Sequence, residues 1–262
     1  MSFATDTAVE RRGPGSYRAV LEERWSSLLG IHGGYTAAVV TRAVEAEVAD
    51  PGRPLRTVAV QFAASPRPGP VQVDVVVERA GRSLTTTSAR LRQGDEVLLL
   101  AHAVSGPARP GLVHDETVRP RPADPGDAPV FVPVPPVPHF ANLVVRLDPD
   151  TAPFAGGREA VMAAWLRPLG REPVDAAWVV AMCEVLPPAV FHRTRGPVNA
   201  ASLELVVHLG TGTPTLAPDE HVYLSCRSPF AAEGFAVEDG TMWGPDGTVL
   251  ALSRQTRLAG DP

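Results

Sequence analysis

The sequence predicts an α+β fold in which a helix is enclosed by a long antiparallel sheet, and it predicts this arrangement twice in one chain. Three observations carry the reading. The stretch GIHGGYTAAVVTRAVEA (30–46) has helical character but almost no polar face: Tyr35 to Val40 are nearly all apolar, and charge comes only at Arg42 and Glu45. A long run of strand-like segments follows it, and a helix meets apolar surface on most sides only if such a sheet curls around it. The same order of elements then recurs in the second half of the chain.

Taken in order, the first half offers a strand in YRAVLEERW (17–25) and then the glycine-led helix. Gly33 and Gly34 permit a close backbone approach at its entry, or simply a tight turn. Strands follow at LRTVAVQF (55–62), VQVDVVVERA (71–80), SLTTTSARLR (83–92) and EVLLLAHAVS (96–105). The second half offers FANLVVRL (140–147), then a helix across AAWVVAMCEVL (176–186) halted by Pro187 and Pro188. After it come SLELVVHL (202–209), HVYLSCRS (221–228), EGFAVEDGTMW (233–243) and TVLALSRQTRL (248–258). QGDE (93–96) and GPDGT (244–248) fit hairpin turns. Between the halves, Gly106 to Pro138 holds ten of the 28 prolines, a composition that favours extended chain and excludes a central strand. The expected division is therefore a repeat over 1–106, a connector over 107–139 packed on the surface, and a repeat over 140–262. The alternative is a proline-rich insert in a single domain.

Composition narrows the function. The chain has 262 residues, is 44% hydrophobic and 20% charged, and carries a net charge of −5, which gives no electrostatic case for nucleic acid. It contains no lysine, so a Walker P-loop and a Schiff-base lysine are excluded. No G-x-S-x-G, G-x-G-x-x-G or H-E-x-x-H motif is present, and the seven histidines are scattered without ligand-like spacing, so neither a metal nor another cofactor is expected. The N-terminal residues lack the apolar core of a signal peptide, and no run is long enough to span a membrane. Two cysteines, Cys183 and Cys226, read as reduced thiols in a cytoplasmic protein.

The duplicated helix-plus-sheet order resembles the double-hotdog acyl-CoA thioesterases of the TesB-like type. The residues that carry the resemblance are HGGYTAAVVTRAVEA, the RAGRS turn (79–83), and SPFAAEGFAVEDGTMWGPDGTVLALSRQTRL with its small residues, D-G turn and closing glutamine. The resemblance implies a metal-free hydrolysis of acyl-CoA to free acid and CoA by a positioned water. It places the family glutamine on Gln255 and the family hydroxyl on Ser202, with Glu204 where the family usually has Asp. The family's helix acid falls near Met182 or Cys183, and the carboxylate in that segment is Glu184. The substrate is expected along His32, Gly33, Gly34 and Tyr35, with helix N–H groups facing the developing oxyanion. Hotdog assemblies commonly pair sheets edge to edge, so a homodimer is among the expectations.

Each of these residues also has a structural reading. Ser202 fits a strand-end bridge, Gln255 a surface position and Glu184 a solvated or paired helix acid. Chemistry favours the site, because serine and glutamine can orient water but a carboxylate is needed to deprotonate it. Two other functions fit the same scaffold: a non-catalytic acyl-thioester binding protein, and a hydratase adding water to an enoyl thioester with an acid/His pair.

Overall fold

The glycine-led segment forms the long helix that its pattern predicts. In the computed structural model, which describes residues 2–120, 124–169, 174–196, 198–210, 216–217 and 220–260, it is preceded by a short helix α1 (Phe3–Asp6) and itself forms α2 (Gly33–Val48). From Gly34 to Thr41 every residue of α2 is buried. The helix stops at Ala49, which adopts a left-handed conformation (φ 49°) just before Pro51.

Twelve strands form one antiparallel sheet around this helix. In the first half they are β1 (Glu10–Gly13) and β2 (Ser16–Leu21), then, after a two-stranded hairpin of β3 (Ser26–Ser27) and β4 (Gly30–Ile31), β5 (Leu55–Phe62), β6 (Gly69–Ala80), β7 (Thr85–Gln93) and β8 (Glu96–Ser105). In the second half they are β9 (Leu143–Leu147), β10 (Val161–Pro168), β11 (Ser202–Leu209), β12 (Val222–Ala232), β13 (Phe235–Trp243) and β14 (Val249–Leu258). Between β10 and β11 lie helices α3 (Ala176–Met182) and α4 (Val190–Arg193). The strand order is β1-β2-β6-β7-β8-β5-β11-β14-β13-β12-β10-β9, so each half repeats the other in mirrored order about the central β5–β11 pair. At that seam Val58 lies opposite Val207 and Val60 opposite Leu205, all four buried.

Three expectations need correction. Two strands of the large sheet went unread, besides the short β3–β4 hairpin: β1, a charged edge strand (ERRG), and β10, whose VMAAWLRP lacks alternation because it is buried on nearly every residue. By position in the sheet, β2 therefore corresponds to β10, and β9 corresponds to β1 rather than to the strand at 17–25. The second helix is also shorter than 176–186: α3 ends at Met182, and residues 183–185 continue as a tighter turn, with Glu184 N–H bonded to Ala181 O (3.3 Å) and Val185 N–H to Met182 O (3.2 Å).

The proline-rich segment packs against the second half. Phe131 N–H donates to Val145 O (2.8 Å) and Leu147 N–H to Pro129 O (3.0 Å), which covers the β9 edge. Ala128 is buried with Trp165, Tyr223 and Trp243 in a second, smaller apolar cluster. Residues 121–123 of the segment lie outside the described residues.

The helices α2 and α3 lie antiparallel inside the sheet. Arg42 of α2 pairs with Asp175, the N-cap of α3, at 2.7 Å. At the other end, the N-terminus of α2 abuts the turn after α3: a Cβ on Gly34 would collide with the carbonyl oxygen of Ala181. Because one sheet and one helix pair tie the halves together, they should unfold as a unit. Leu205→Ala, which empties a position 1% exposed at the seam, should cost about 2–5 kcal/mol in a single urea transition followed by far-UV circular dichroism. Two separate transitions, or an unshifted midpoint, would contradict this description.

Candidate active site

The polar residues of the interior collect at one place, where the N-terminus of α2 meets the turn after α3. Prolines explain why that turn is available. In a continuing helix the carbonyls of residues 183 and 184 would accept from the N–H groups of residues 187 and 188, but Pro187 and Pro188 have none. Both carbonyls instead find side-chain partners. Gln255 Nε2 donates to Cys183 O (3.0 Å), and His32 Nε2 lies 3.2 Å from Glu184 O. The buried turn is thereby satisfied, as buried carbonyls must be.

Strand geometry delivers the rest. Along β14 the side chains alternate, so Ser253, Gln255 and Arg257 all point into the interior. On β11, Leu205 and Val207 point inward by the same rule, and Ser202 joins their side because the register slips between Ser202 and Glu204. The slip leaves Glu204 on the opposite parity from Leu205, away from the site; the bulge, invisible in the sequence, separates it from the serine two residues earlier.

Glu184 is the centre of the cluster. Its side chain is 9% exposed and faces three donors. Oε2 accepts the Gly34 N–H (2.6 Å) and lies 3.2 Å from His32 Nε2; Oε1 accepts the Ser202 hydroxyl (2.6 Å). Ser202 Oγ also lies 3.4 Å from Gln255 Oε1. Since the Gln255 amide nitrogen faces Cys183 O, the group it turns to the cluster is its oxygen, an acceptor. Gly33 completes the approach: its missing side chain leaves room for Glu184 Oε2 and the ring of Phe62, each about 3.0 Å from where a Cβ would sit. The Gly33 N–H has no partner among the described residues and is a free donor at the positive end of α2.

Six of the seven residues read from the sequence thus come together: His32, Gly33, Gly34, Glu184, Ser202 and Gln255. Tyr35 does not. It is fully buried, stacks on Trp25 at 5.0 Å, and its hydroxyl donates to Asp6 O at 2.7 Å, so it is part of the core. Glu184 lies one or two residues beyond the position expected for the acid, in the tighter turn, and its carboxylate meets the Gly34 N–H of α2.

Two participants were not read from the sequence. Arg257, 4% exposed, donates to Ser202 Oγ (2.7 Å) and to Glu238 Oε1 through Nε (3.2 Å) and Nη2 (3.0 Å). Glu238, 3% exposed, accepts the Ala189 N–H at 2.5 Å, which fixes the segment leading into α4. Because arginine only donates, Ser202 Oγ must accept from it, and the serine proton is directed to Glu184. The signal was present as period-2 alternation: Ser253, Gln255 and Arg257 share a parity, so an inward Gln255 requires an inward arginine and hence a buried partner acid.

The cysteines are not nucleophiles here. Burial pushes the Cys183 thiol up to about 12 and raises Cys226 well above its ordinary value, so neither is a thiolate at neutral pH. No group of three or more His, Cys, Asp or Glu residues among the described residues is arranged to hold a metal ion.

Comparisons with known proteins agree with this architecture. The family model described as the acyl-CoA thioesterase N-terminal domain matches residues 21–106, and that of the C-terminal domain matches residues 115–259. Among solved structures, a hotdog-fold protein from Alicyclobacillus acidocaldarius superposes with a TM-score of 0.89 at 25% identity, covering 99% of this chain and 98% of its own. The acyl-CoA thioesterase II TesB2 from Mycobacterium marinum gives 0.80 at 22% identity over 100% and 98%. The tesB protein of Mycobacterium avium subsp. paratuberculosis gives 0.78 at 22% identity over 98% of both chains. A comparison with curated proteins returns no match.

A neighbour of the cluster gives a pH test. His139, 5% exposed, stacks on His32 at 4.4 Å between ring centroids. Burial, followed by the nearby His32, pushes its pKa down from 6.5 to about 2. The unfolded chain therefore binds this proton below about pH 6.5 while the folded chain refuses it, so the contribution lowers stability as pH falls through that window. In His139→Phe, unfolding free energy from urea titrations should depend on pH between about 6 and 3 with a slope smaller by about one proton. An unchanged slope would show that His139 takes up its proton in the folded state.

Proposed function

The chain belongs to the acyl-CoA thioesterase family, and we propose that it hydrolyses acyl-CoA thioesters to free acid and CoA with a water activated by Glu184. One observation carries the reading: a carboxylate, a serine hydroxyl and a glutamine carbonyl, brought from α3's end, β11 and β14, meet within 2.6 and 3.4 Å of one another beside the N-terminus of α2.

The chemistry follows from which groups donate and which accept. A water between Gln255 Oε1 and Glu184 Oε1 gives both its protons to acceptors, so it presents a lone pair to an electrophile. Attack on the thioester carbonyl forms the C–O bond as one water proton passes to Glu184. The carbonyl oxygen becomes an oxyanion, for which the free Gly33 N–H at the positive end of α2 is a suited donor. Collapse breaks the C–S bond and expels CoA as a thiolate, which takes the proton from Glu184. The balance is one water and one thioester giving one acid and one thiol, with no covalent enzyme intermediate. Ser202, held by Arg257, keeps Glu184 Oε1 in place.

The contact between His32 and Glu184 supports a second reading, because it supplies the acid/His pair that hydration of an enoyl thioester would use. The two separate by product: thiol release measures hydrolysis, and loss of enoyl absorbance without thiol measures hydration.

On an acyl-CoA panel read with a thiol reagent, wild type should release CoA. Gln255→Ala should lower kcat by roughly 30- to 1,000-fold in a chain that still folds cooperatively, with a lower urea midpoint because Cys183 O loses its donor. Glu184→Gln should lose most turnover, since the amide cannot take the proton. Full activity in Glu184→Gln removes it as the base, and absence of thiol release from every wild-type reaction leaves a binding protein or a hydratase.

A further inference from the structure

His32 uses its two ring nitrogens for different partners. Nδ1 accepts the N–H of Tyr35 at 3.2 Å, as the N-cap of α2, and so carries no proton. Neutral imidazole has one N–H, which must then be on Nε2. That atom lies 3.2 Å from both Oε2 and the backbone oxygen of Glu184, and neither of those can donate. The cap and the acid thus select the same tautomer independently.

The ring is also clamped. It is 4% exposed, His139 covers one face, and a Cβ on Gly34 would come within 2.8 Å of its Cε1. His139 is neutral at ordinary pH, so no neighbouring charge arises from it.

Counting lone pairs on Glu184 gives the consequence. Each carboxylate oxygen offers about two acceptor positions. On Oε2, Gly34 N–H (2.6 Å) takes one, and the edge of the His32 ring, whose Nε2–H is bonded to the backbone oxygen of Glu184, lies against the other at 3.2 Å. On Oε1, the Ser202 hydroxyl takes one, and the nearest remaining cation, Arg257 Nη1, stands off at 3.9 Å. The second position on Oε2 is covered by the His32 ring edge, which leaves the oxygen beside Ser202 and Gln255 to meet a water.

We propose that His32 is a positioning residue for Glu184: its neutral Nε2–H, bonded to the backbone oxygen of Glu184 and lying against Oε2, holds the residue so that a proton from water is taken at Oε1. This rests on the thioesterase reading of the same site, in which water lies between Gln255 and Glu184. It differs from a role for His32 in contacting substrate, because the ring spends both nitrogens on the protein itself.

Two isosteric substitutions separate positioning from capping. The amide of asparagine occupies the place of Nδ1, caps a helix well and cannot reach Glu184. The amide of glutamine reaches the place of Nε2 but is a poor cap. His32→Asn should therefore keep its melting temperature while kcat falls roughly 10- to 100-fold, the scale of a misplaced catalytic group, with KM little changed. His32→Gln should melt lower yet recover most of the lost turnover. If His32 serves only the fold, the order reverses, with Asn fully active and Gln the poorer enzyme, and the proposal is overturned.

A readout that needs no turnover accompanies this. In long-range 1H–15N spectra of the ¹⁵N-histidine-labelled protein at neutral pH, His32 should show an unprotonated Nδ1 and a proton on Nε2. Glu184→Gln should move that proton's resonance. A proton on Nδ1, or an imidazolium, overturns the proposal even in an active enzyme. The expected spectrum in a chain that releases no CoA upholds the His32–Glu184 pairing while overturning the reaction assigned to it.

Discussion

The contact between the first turn of α2 and the turn after α3 constrains everything around it. Two helices can meet end against side at this separation only if one of them lacks side chains at the contact, which is what Gly33 and Gly34 provide. The approach lets a backbone N–H from one half of the chain bond a carboxylate from the other at 2.6 Å. It also aligns the positive end of α2 with the acid, a favourable arrangement of dipole and charge. The β5–β11 seam then has to hold the halves in register, because a one-residue slip would reverse the side-chain parity of β11 and carry Ser202 out of the interior.

The interior that results is polar where most cores are not. Arg257, Glu238, Glu184, Ser202 and Gln255 are all buried or nearly so, and ionic groups in such a place are costly unless each finds a partner. Here the partners form one chain of bonds. Glu238 fixes the Ala189 amide and binds Arg257, Arg257 binds Ser202, and Ser202 binds Glu184. An arrangement in which each group orients the next restricts the rotamers of all of them, which is the rigidity a positioned water requires.

Much of the fold was legible because it is written in periodicity. The non-amphipathic helix, the alternating strands after it and the two hairpin turns give the enclosure and the duplication directly. Strand β10 was not legible, since a segment buried on both faces loses the alternation that marks a strand, and β1 was hidden by its charged edge sequence. For the site, Ser202, Gln255 and Glu184 could be named from the sequence, but their meeting could not. It depends on a bulge after Ser202 and on a 3.2–3.3 Å turn that carries Glu184, and both are tertiary adjustments. Tyr35, placed along the substrate only by the resemblance, lies fully buried against Trp25, a packing that sequence alone does not display.

The mirrored strand order relates each helix to the other, and with them two places in the molecule. At one, His32 caps α2 and faces Glu184, nine residues beyond the cap of α3. At the other, Asp175 caps α3 and meets Arg42, ten residues beyond the cap of α2. The second place has no glycine pair, and a guanidinium stands where the first has a carboxylate, locked to the cap at 2.7 Å. Of two places that the mirrored order makes equivalent, one thus holds an acid beneath N–H donors and the other is a rivet.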